Sequence, residues 1–337
     1  MRKIITLETD KTKQFGGGSK ANEDIAKFLK SSDFKTLSIE IAKSKLLKLF
    51  YSFFKIPRLI KKENGNLIVF QYPLHTYLIS RTLVRTASRS TNTKLIILIH
   101  DIQSLQFFEG GDAKKTAREV ELFNMADTLV VHNEEMARWL REQGVKKEMV
   151  SLEIFDYDNP QPVQNNFNYK GSVCFAGNLA KSSFLEKLNL KHKIYIFGPN
   201  AMNNSYAKCV QYCGKYSPEE LPKYLNQNFG LVWDGSSTET CAGVYGNYLR
   251  YNNPHKVSLY LSTGIPVVVW SGAAIAKFVE KYKVGITIDN LDELDEILGK
   301  ISASEYNQLK KNTLNVALKM RKGYFVKKAL AKLTESI

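Results

Sequence analysis

The sequence lacks the features of an exported or membrane-spanning protein. No apolar run reaches the roughly 18 residues that a helix needs to cross the hydrocarbon core of a bilayer. The first residues read Met-Arg-Lys-Ile-Ile-Thr, which is typical of a first strand and contains no apolar stretch of the kind found in secretion signals. We therefore expect a cytoplasmic protein.

Cysteine is scarce, with four in 337 residues, and no metal site is predicted. Cys209 and Cys213 would share one face of a helix, but no further ligands lie at the usual zinc spacings. Free thiols in a reducing compartment are the simpler interpretation. Asp156-Tyr157-Asp158 matches a D-x-D cation motif. Because it lies beside an expected linker, we interpret it as structural.

Acidic residues are fewer than basic ones. The sequence has 48 Lys and Arg and 33 Asp and Glu, which gives a net charge of +15. Residues 1–62 hold fifteen basic and six acidic residues, which accounts for +9 of that charge. A basic field attracts nucleic acid, acidic lipid or phosphorylated substrates. No nucleic-acid-binding motif accompanies it, so a nucleic-acid partner is not expected.

The segment Lys43–Lys62 contains seven basic residues and no acidic one. Its apolar residues recur at helical spacing until Pro57, at Leu46, Leu47, Phe50, Phe53 and Phe54. Such a helix either lies on an anionic membrane or packs its apolar stripe on a sheet. The sequence leaves both alternatives open, so localisation on the inner membrane face also stays open.

The length suits two domains of about 150 residues each. Residues 159–168, with two prolines and four asparagines, predict a linker between domains at 1–158 and 169–320, followed by a helical tail at 321–337 that could cross back to the first domain. Strands and helices alternate in both halves, which predicts parallel sheets covered by helices, as in Rossmann folds. The predicted strands are Lys3–Leu7, Leu37–Ile41, Asn66–Gln71, Lys94–Ile99, Thr128–Val131, Ser172–Ala176, Lys193–Phe197, Gly230–Trp233, Ile265–Trp270 and Gly285–Ile288. The predicted helices are Asn22–Ser31, His75–Thr86, Lys115–Met125, Asn133–Gln143, 182–187, 218–226, 254–263, 273–282, 291–298 and 303–336.

Ligands of open parallel sheets bind beyond the carboxyl ends of the strands, and glycines follow four predicted strands of the second half. The longest such loop is Trp233–Lys256, and loops of this length are usually functional. Asn253 and Pro254 predict an N-cap and a first helical residue, which places His255 and Lys256 in the first turn. The helix dipole disfavours a positive charge in the first turn. Lys256 is explained either by a bound anion such as a diphosphate or by a side chain that simply faces solvent.

The loop after the first strand, Phe15–Lys20, contains three glycines. Gly17 and Gly18 could admit a phosphate or a sugar to the backbone. The loop matches neither a Walker A motif nor a complete dinucleotide-binding motif, so a merely flexible loop is the alternative.

The run from Trp233-Asp-Gly through Glu239-Thr-Cys to Asn253-Pro-His-Lys and Ser258-Leu-Tyr-Leu-Ser resembles the bacterial β-1,6-galactofuranosyltransferases of O-antigen synthesis. The chain is similar, more loosely, to the streptococcal glucosyltransferases that extend sugars on serine-rich adhesins. Further shared stretches are Gln71-Tyr-Pro, Leu98-Ile-His-Asp-Ile, Val130-Val-His-Asn, Ile154-Phe-Asp-Tyr and Phe175-Ala-Gly-Asn-Leu.

The resemblance implies a GT-B fold of two Rossmann-like domains, a UDP-sugar donor in the second domain, and no metal or other cofactor. It suggests UDP-galactofuranose as donor and inversion to a β product on a glycan acceptor, with lipid linkage of the acceptor and homo-oligomerisation left open. If the residue roles of the family apply here, Lys256 would hold the diphosphate beside His255. The other implied donor contacts are Gly177, Asn178, Lys181, Tyr212, Asp234, Gly17 and Gly18. Lys181 lies where the wider group has an arginine. An arginine binds phosphate through two parallel hydrogen bonds, whereas a lysine presents a single point charge.

An inverting transfer needs a base that takes the proton of the acceptor hydroxyl. Asp101, at the end of the clearest strand, is the first candidate, Glu239 the second and His100 the third. The alternative for Asp101 is a structural cap. Glucosyl or galactosyl transfer on the same fold, and a non-catalytic subunit that positions a partner transferase, remain alternatives. A nucleotide-sugar epimerase is not expected, because the dinucleotide fingerprint is missing.

Overall fold

The computed structural model describes residues 2–7, 17–39, 44–62, 67–74, 76–90, 92–107, 111–201 and 206–334. The chain divides into two compact units. The first comprises Met1–Lys13, Gly18–Leu152 and Phe325–Ile337, and the second comprises Gln14–Gly17 and Glu153–Tyr324. Within those described ranges, no helix is long and apolar enough to cross a membrane.

The first unit is built on a six-stranded sheet in the order β2-β1-β3-β4-β5-β6, in which every pair is parallel. Strands β3 and β4 are almost wholly buried, as expected of strands covered on both faces. The strands are β1 Arg2–Leu7, β2 Phe34–Ile39, β3 Leu67–Tyr72, β4 Lys94–Ile99, β5 Thr128–Val131 and β6 Glu148–Ser151.

The helices of the first unit begin at polar caps where the sequence supplies them. The side chains of Ser44, Thr76, Asp112 and Asn133 each accept a hydrogen bond from a backbone amide of the turn that follows. A π-helical segment, Tyr51–Lys55, joins α2 to α3. The helices are α1 Gly17–Lys30, α2 Lys45–Phe50, α3 Ile56–Lys62, α4 Tyr77–Ser88, α5 Gln103–Gln106, α6 Ala113–Phe123 and α7 Glu134–Glu142.

The second unit has a parallel six-stranded sheet in the order β12-β11-β10-β7-β8-β9. The strands are β7 Val173–Ala176, β8 Ile194–Phe197, β9 Val210–Tyr212, β10 Phe229–Val232, β11 Val267–Trp270 and β12 Gly285–Ile288. The helices are α8 Gly243–Tyr248, α9 His255–Thr263, α10 Ala276–Tyr282, α11 Leu294–Lys300 and α12 Ala303–Met320, with 3₁₀ turns at Leu179–Lys181, Ser183–Glu186, Leu221–Lys223 and Leu291–Glu293.

The last helix, α13 (Tyr324–Thr334), belongs almost wholly to the first unit. Lys94 Nζ at the start of β4 donates to the carbonyl oxygen of Leu333 at 3.0 Å. Lys327 Nζ on α13 donates to Ser31 Oγ at 3.1 Å. Val326, on the same helix, is completely buried. The chain therefore leaves the first unit, builds the second and returns.

The predicted α/β fold class with two parallel sheets is confirmed. Four details of the prediction are wrong. Helix α1 begins at Gly17, five residues before the predicted start at Asn22. The predicted helices at 182–187 and 218–226 are short 3₁₀ turns, the second of which contains Pro222. Residues 303–336 do not form one helix, because Gly323 has a left-handed φ of 68° between α12 and α13. Strands β6 and β9 were missed.

Candidate functional site

The strand order of the second unit locates its ligand crevice. From β7 the chain runs outward to β8 and β9, then returns to the other side of β7 with β10. In open parallel sheets, ligands bind at this reversal, beyond the carboxyl ends of the two central strands. Here these ends are Gly177 after β7 and Trp233-Asp234 after β10.

Lys256 reaches this reversal point from α9. Its Nζ donates to Asp234 Oδ1 at 2.8 Å and to the carbonyl oxygen of Trp233 at 3.3 Å. The ammonium also lies 4.6 Å from the ring centroid of Phe175, and a Cβ added to Gly177 would lie 3.8 Å from Nζ. The side chain of Lys256 is 14% exposed. The structure thus brings together three predicted site residues, Lys256, Asp234 and Gly177.

Two hydroxyl groups of helix α9 fix it to the end of β7 and to the segment between β6 and β7. The Tyr260 hydroxyl accepts a hydrogen bond from the backbone amide of Ala176 at 2.6 Å, and Ser258 Oγ donates to the carbonyl oxygen of Phe155 at 2.8 Å. Gly230 on β10 makes room for the Tyr260 ring, because a Cβ there would lie 2.3 Å from ring atoms. The position of Lys256 therefore follows from the packing of a completely buried tyrosine.

The predicted start of α9 is wrong by one residue. Pro254, with an extended ψ of 131°, is the N-cap, and His255 is the first helical residue. Asn253 does not cap the helix, because its Nδ2 donates to the carbonyl oxygen of Glu153 at 3.0 Å. Lys256 still lies in the first turn. His255 packs beside it against the ring of Tyr157, with 5.1 Å between centroids.

The glycine loops at β7 and β8 approach each other closely. Gly198 has a left-handed φ of 146°, and a Cβ there would lie 1.8 Å from the carbonyl oxygen of Gly177. Tyr212, exposed on β9, donates its hydroxyl to the carbonyl oxygen of Gly198 at 3.3 Å. Tyr212 therefore contacts the glycine loops. Among the described contacts, none joins it to Lys256 or Asp234.

Asn178 and Lys181 lie in the turn that follows Gly177. Asn178 Oδ1 accepts hydrogen bonds from the backbone amide of Ala180 at 3.2 Å and from Asn200 Nδ2 at 2.9 Å. Lys181 Nζ lies 3.9 Å from the ring centroid of Tyr245 on α8. Asn178 thus caps the turn, while Lys181 rests on an aromatic ring.

The loop after β10 is ordered by its own contacts. Trp233 Nε1 donates to the carbonyl oxygen of Ser237 at 2.9 Å, and a Cβ on Gly235 would lie 2.3 Å from the carbonyl oxygen of Ala242. Glu239, the second base candidate, lies exposed in this loop, and its backbone amide donates to Ser237 Oγ at 3.1 Å.

Polar side chains from neighbouring strands lie together at the carboxyl edge of the first sheet. Gln71 Nε2 donates to the carbonyl oxygen of Asn22 on α1 at 3.3 Å, so its Oε1 is left to accept from His100 Nε2 at 2.9 Å. His132, after β5, bonds through Nε2 to the carbonyl oxygen of Ile99 at 3.1 Å. Asp101 follows His100 and is half-buried.

The segment after Asp101 is anchored by Glu119 of α6. The buried Glu119 carboxylate accepts from the Tyr72 hydroxyl at 2.8 Å and from the backbone amides of Gln103 at 2.8 Å and Ser104 at 3.2 Å. Sequence analysis assigned no site role to Glu119, Gln71 or His132, although Gln71 and His132 lie in stretches shared with the resembled family. For Gln71 the signal was a polar residue within a buried apolar strand. Gly17 and Gly18 are the first residues of α1 rather than part of a loop.

His132 gives the first unit a defined acid sensitivity. Burial lowers the pKa of His132 from 6.5 to about 4. In the unfolded chain this histidine takes up a proton near pH 6.5, whereas in the folded chain it stays neutral, so stability is lost as the pH falls from 6.5 towards 4. The shift corresponds to about 3 kcal/mol. We expect His132→Gln to flatten the dependence of unfolding free energy on pH in this window, measured by urea unfolding. An unchanged pH dependence would contradict this account.

Two α/β units, each built on a parallel six-stranded sheet, are the two domains of a GT-B fold. Solved structures show the same fold. A glycosyltransferase from Rickettsia africae matches with a TM-score of 0.63 at 12% identity, covering 99% of this chain and 98% of that one. Sucrose-phosphate synthase from Thermosynechococcus elongatus matches with a TM-score of 0.62 at 10% identity, covering all of both chains.

The chain belongs to the glucosyltransferase 3-like family, whose N-terminal domain model matches residues 2–154 and whose C-terminal domain model matches residues 173–333. It is 30% identical to the β-1,6-galactofuranosyltransferase WbbI of Escherichia coli K12, over 82% of this chain and 81% of that protein. It is 25% identical to glucosyltransferase 3 of Streptococcus gordonii, over 79% of this chain and 78% of that protein. The resemblance seen in the sequence is confirmed, and the protein is a glycosyltransferase enzyme.

Proposed function

We propose that this glycosyltransferase moves galactofuranose from UDP-galactofuranose to a hydroxyl group of a glycan acceptor in surface polysaccharide synthesis, with inversion and without a metal ion. The observation that carries the proposal is Lys256 at the reversal point of the second sheet, beside Gly177 and paired with Asp234. The similarity to the galactofuranosyltransferase of E. coli supports the choice of sugar.

The proposed role of Lys256 is to stabilise the leaving diphosphate. Its ammonium is held in the first turn of α9, where the helix dipole adds to the positive potential. When a diphosphate arrives, it competes with Asp234 for the ammonium, and the Asp234 carboxylate becomes available to accept from a sugar hydroxyl. The lysine and the helix amides then stabilise the negative charge of the leaving diphosphate, as a metal ion does in metal-dependent transferases.

The proposed reaction is a single displacement. The acceptor oxygen forms a bond to the anomeric carbon while the bond from that carbon to the diphosphate oxygen breaks, and UDP leaves with the electron pair. Asp101 accepts the proton of the acceptor hydroxyl. Its position directly after β4, in a segment anchored by Glu119, supports it over the exposed Glu239 and over His100, whose Nε2 is bonded to Gln71.

The donor and the metal requirement are tested together. Purified protein is incubated with a panel of UDP-sugars and a glycan acceptor, with and without EDTA, and released UDP is measured. We expect turnover with UDP-galactofuranose that EDTA leaves unchanged. Activity that EDTA abolishes and added Mg²⁺ or Mn²⁺ restores would contradict the metal-independent mechanism. No thermal stabilisation by UDP would favour a non-catalytic subunit, because a ligand of the native state raises its melting temperature.

Glucosyl transfer is the second candidate function. It is favoured by the similarity to streptococcal glucosyltransferase 3 and by the family to which the chain belongs. The same panel separates the two, since a preference for UDP-glucose over UDP-galactofuranose would assign the chain to this alternative.

A further inference from the structure

An exposed apolar face lies on the part of the first unit that the structure describes. We define the apolar face as Leu46, Leu47, Leu49, Phe50, Phe53 and Phe54, on α2 and the π-helical segment. Their exposed fractions range from 45% for Leu49 to 80% for Leu46. The buried side of this region is formed instead by Ser52, Ile56 and Ile60. The alternative in which the apolar stripe packs on the sheet is therefore wrong.

A cavity of about 720 Å³ adjoins the apolar face. It is lined by three arginines of one face of α4 and its C-cap, Arg81, Arg85 and Arg89, together with the apolar side chains Phe53, Leu78 and Ile60. Phe53 belongs both to the cavity wall and to the apolar face, so the two surfaces are continuous.

The arginines differ in how they are already engaged. Arg81 pairs with Glu121 at 2.8 Å. Arg85 and Arg89 are exposed, and among the described residues neither lies within ion-pair distance of a carboxylate, although the charge of Arg85 contributes to the lowered pKa of Glu121. Guanidinium groups bind phosphate oxygens in a planar fork. The cavity therefore offers two guanidinium groups for a phosphate.

The ligand that satisfies both surfaces is an anionic phospholipid. Amphipathic helices with basic and aromatic residues bury their apolar face at the boundary of headgroups and acyl chains. The surrounding segment, 43–62, carries seven basic residues and no acidic one. A second copy of this chain would bring its own net charge of +15 against this basic surface, whereas an anionic bilayer complements it.

We propose that the apolar face and the arginine cavity dock the protein on a bilayer of anionic phospholipids, with a headgroup phosphate between Arg85 and Arg89. The apolar side chains enter the acyl boundary, and the basic side chains that the structure describes in this segment, Lys48, Lys55 and Arg58, face the headgroups. This surface lies entirely on the first unit and does not depend on the donor proposed above.

The test is flotation of the full chain with vesicles of phosphatidylcholine alone or mixed with phosphatidylglycerol. We expect binding to the mixed vesicles only. Arg85→Gln with Arg89→Gln weakens partitioning about thirtyfold, since each basic residue near an anionic surface contributes about 1 kcal/mol. Phe50→Glu with Phe53→Glu abolishes it. The matched controls are Arg141→Gln on α7 and Leu318→Glu on α12, both exposed and remote in sequence, and they keep wild-type partitioning.

Three outcomes would overturn the inference. Equal binding to neutral vesicles would remove the role of the arginines, and complete release by millimolar inorganic phosphate would assign the cavity to a free anion. A fall in solution mass of the Phe50→Glu, Phe53→Glu variant, without vesicle binding by the wild type, would assign the apolar face to a second copy. Transfer to a soluble acceptor, assayed in parallel, is expected to be unchanged in both variants and separates this question from the proposed function.

Discussion

Replacing Asp101 with asparagine lowers kcat by a factor of roughly 10² to 10⁴, the range typical of a positioned general base. Asparagine keeps the size and part of the hydrogen bonding of the side chain but cannot accept the proton of the acceptor hydroxyl. Binding of UDP, measured by calorimetry, is expected to stay unchanged, because Lys256 and Asp234 lie in the other unit.

The matched control is Asp112→Asn in the same unit. Asp112 caps α6 by accepting from the amide of Lys115 at 3.0 Å, and asparagine caps a helix equally well, so activity should be retained. Glu239→Gln and His100→Gln test the two other base candidates. If Asp101→Asn keeps wild-type kcat while Glu239→Gln loses it, the base is Glu239 and Asp101 is a structural residue.

Replacing Lys256 with alanine lowers kcat/KM for the sugar nucleotide by about a hundredfold. A charge-assisted contact with the diphosphate contributes about 3 kcal/mol, and removing it destabilises the transition state by that amount. The Asp234 carboxylate also loses its partner and is left to repel the phosphates. Steady-state kinetics with varied donor concentration measures the effect.

Lys281→Ala is the matched control for Lys256. Lys281 lies in the same unit and pairs with Glu153 at 2.9 Å, but its side chain is 63% exposed. Exposed pairs contribute little to stability, so this variant should retain both its fold and its activity. Normal turnover by Lys256→Ala, with an unchanged melting temperature, would refute the assignment of the diphosphate site.

Short runs rich in apolar residues made most of the fold predictable. Lys94–Ile99, Thr128–Val131 and Gly285–Ile288 were predicted with the exact bounds that the structure shows. The missed strands, Glu148–Ser151 and Val210–Tyr212, are short edge strands with polar or exposed residues, so they carry no apolar run. The start of α1 was missed because Gly17 and Gly18 are poor helix formers, and glycine clusters usually indicate loops.

The candidate site was predictable in its residue types but not in its contacts. Strand ends, glycines and a lysine in the first turn of a helix were visible in the sequence. The pairing of Lys256 with Asp234 depends on how α9 packs against the sheet, through Tyr260 and Gly230. Glu119 escaped notice because its partner Tyr72 lies 47 residues away, a separation that no local pattern encodes.

The return of α13 has a consequence for synthesis on the ribosome. The carbonyl oxygen of Leu333 accepts the hydrogen bond of Lys94, and Val326 is buried within a unit whose residues, apart from the closing segment Phe325–Ile337, all precede position 153. Domains usually fold one after another as the nascent chain emerges, amino-terminal first. Here the second unit is translated in full before the first receives its closing helix, so the half made first is the half completed last.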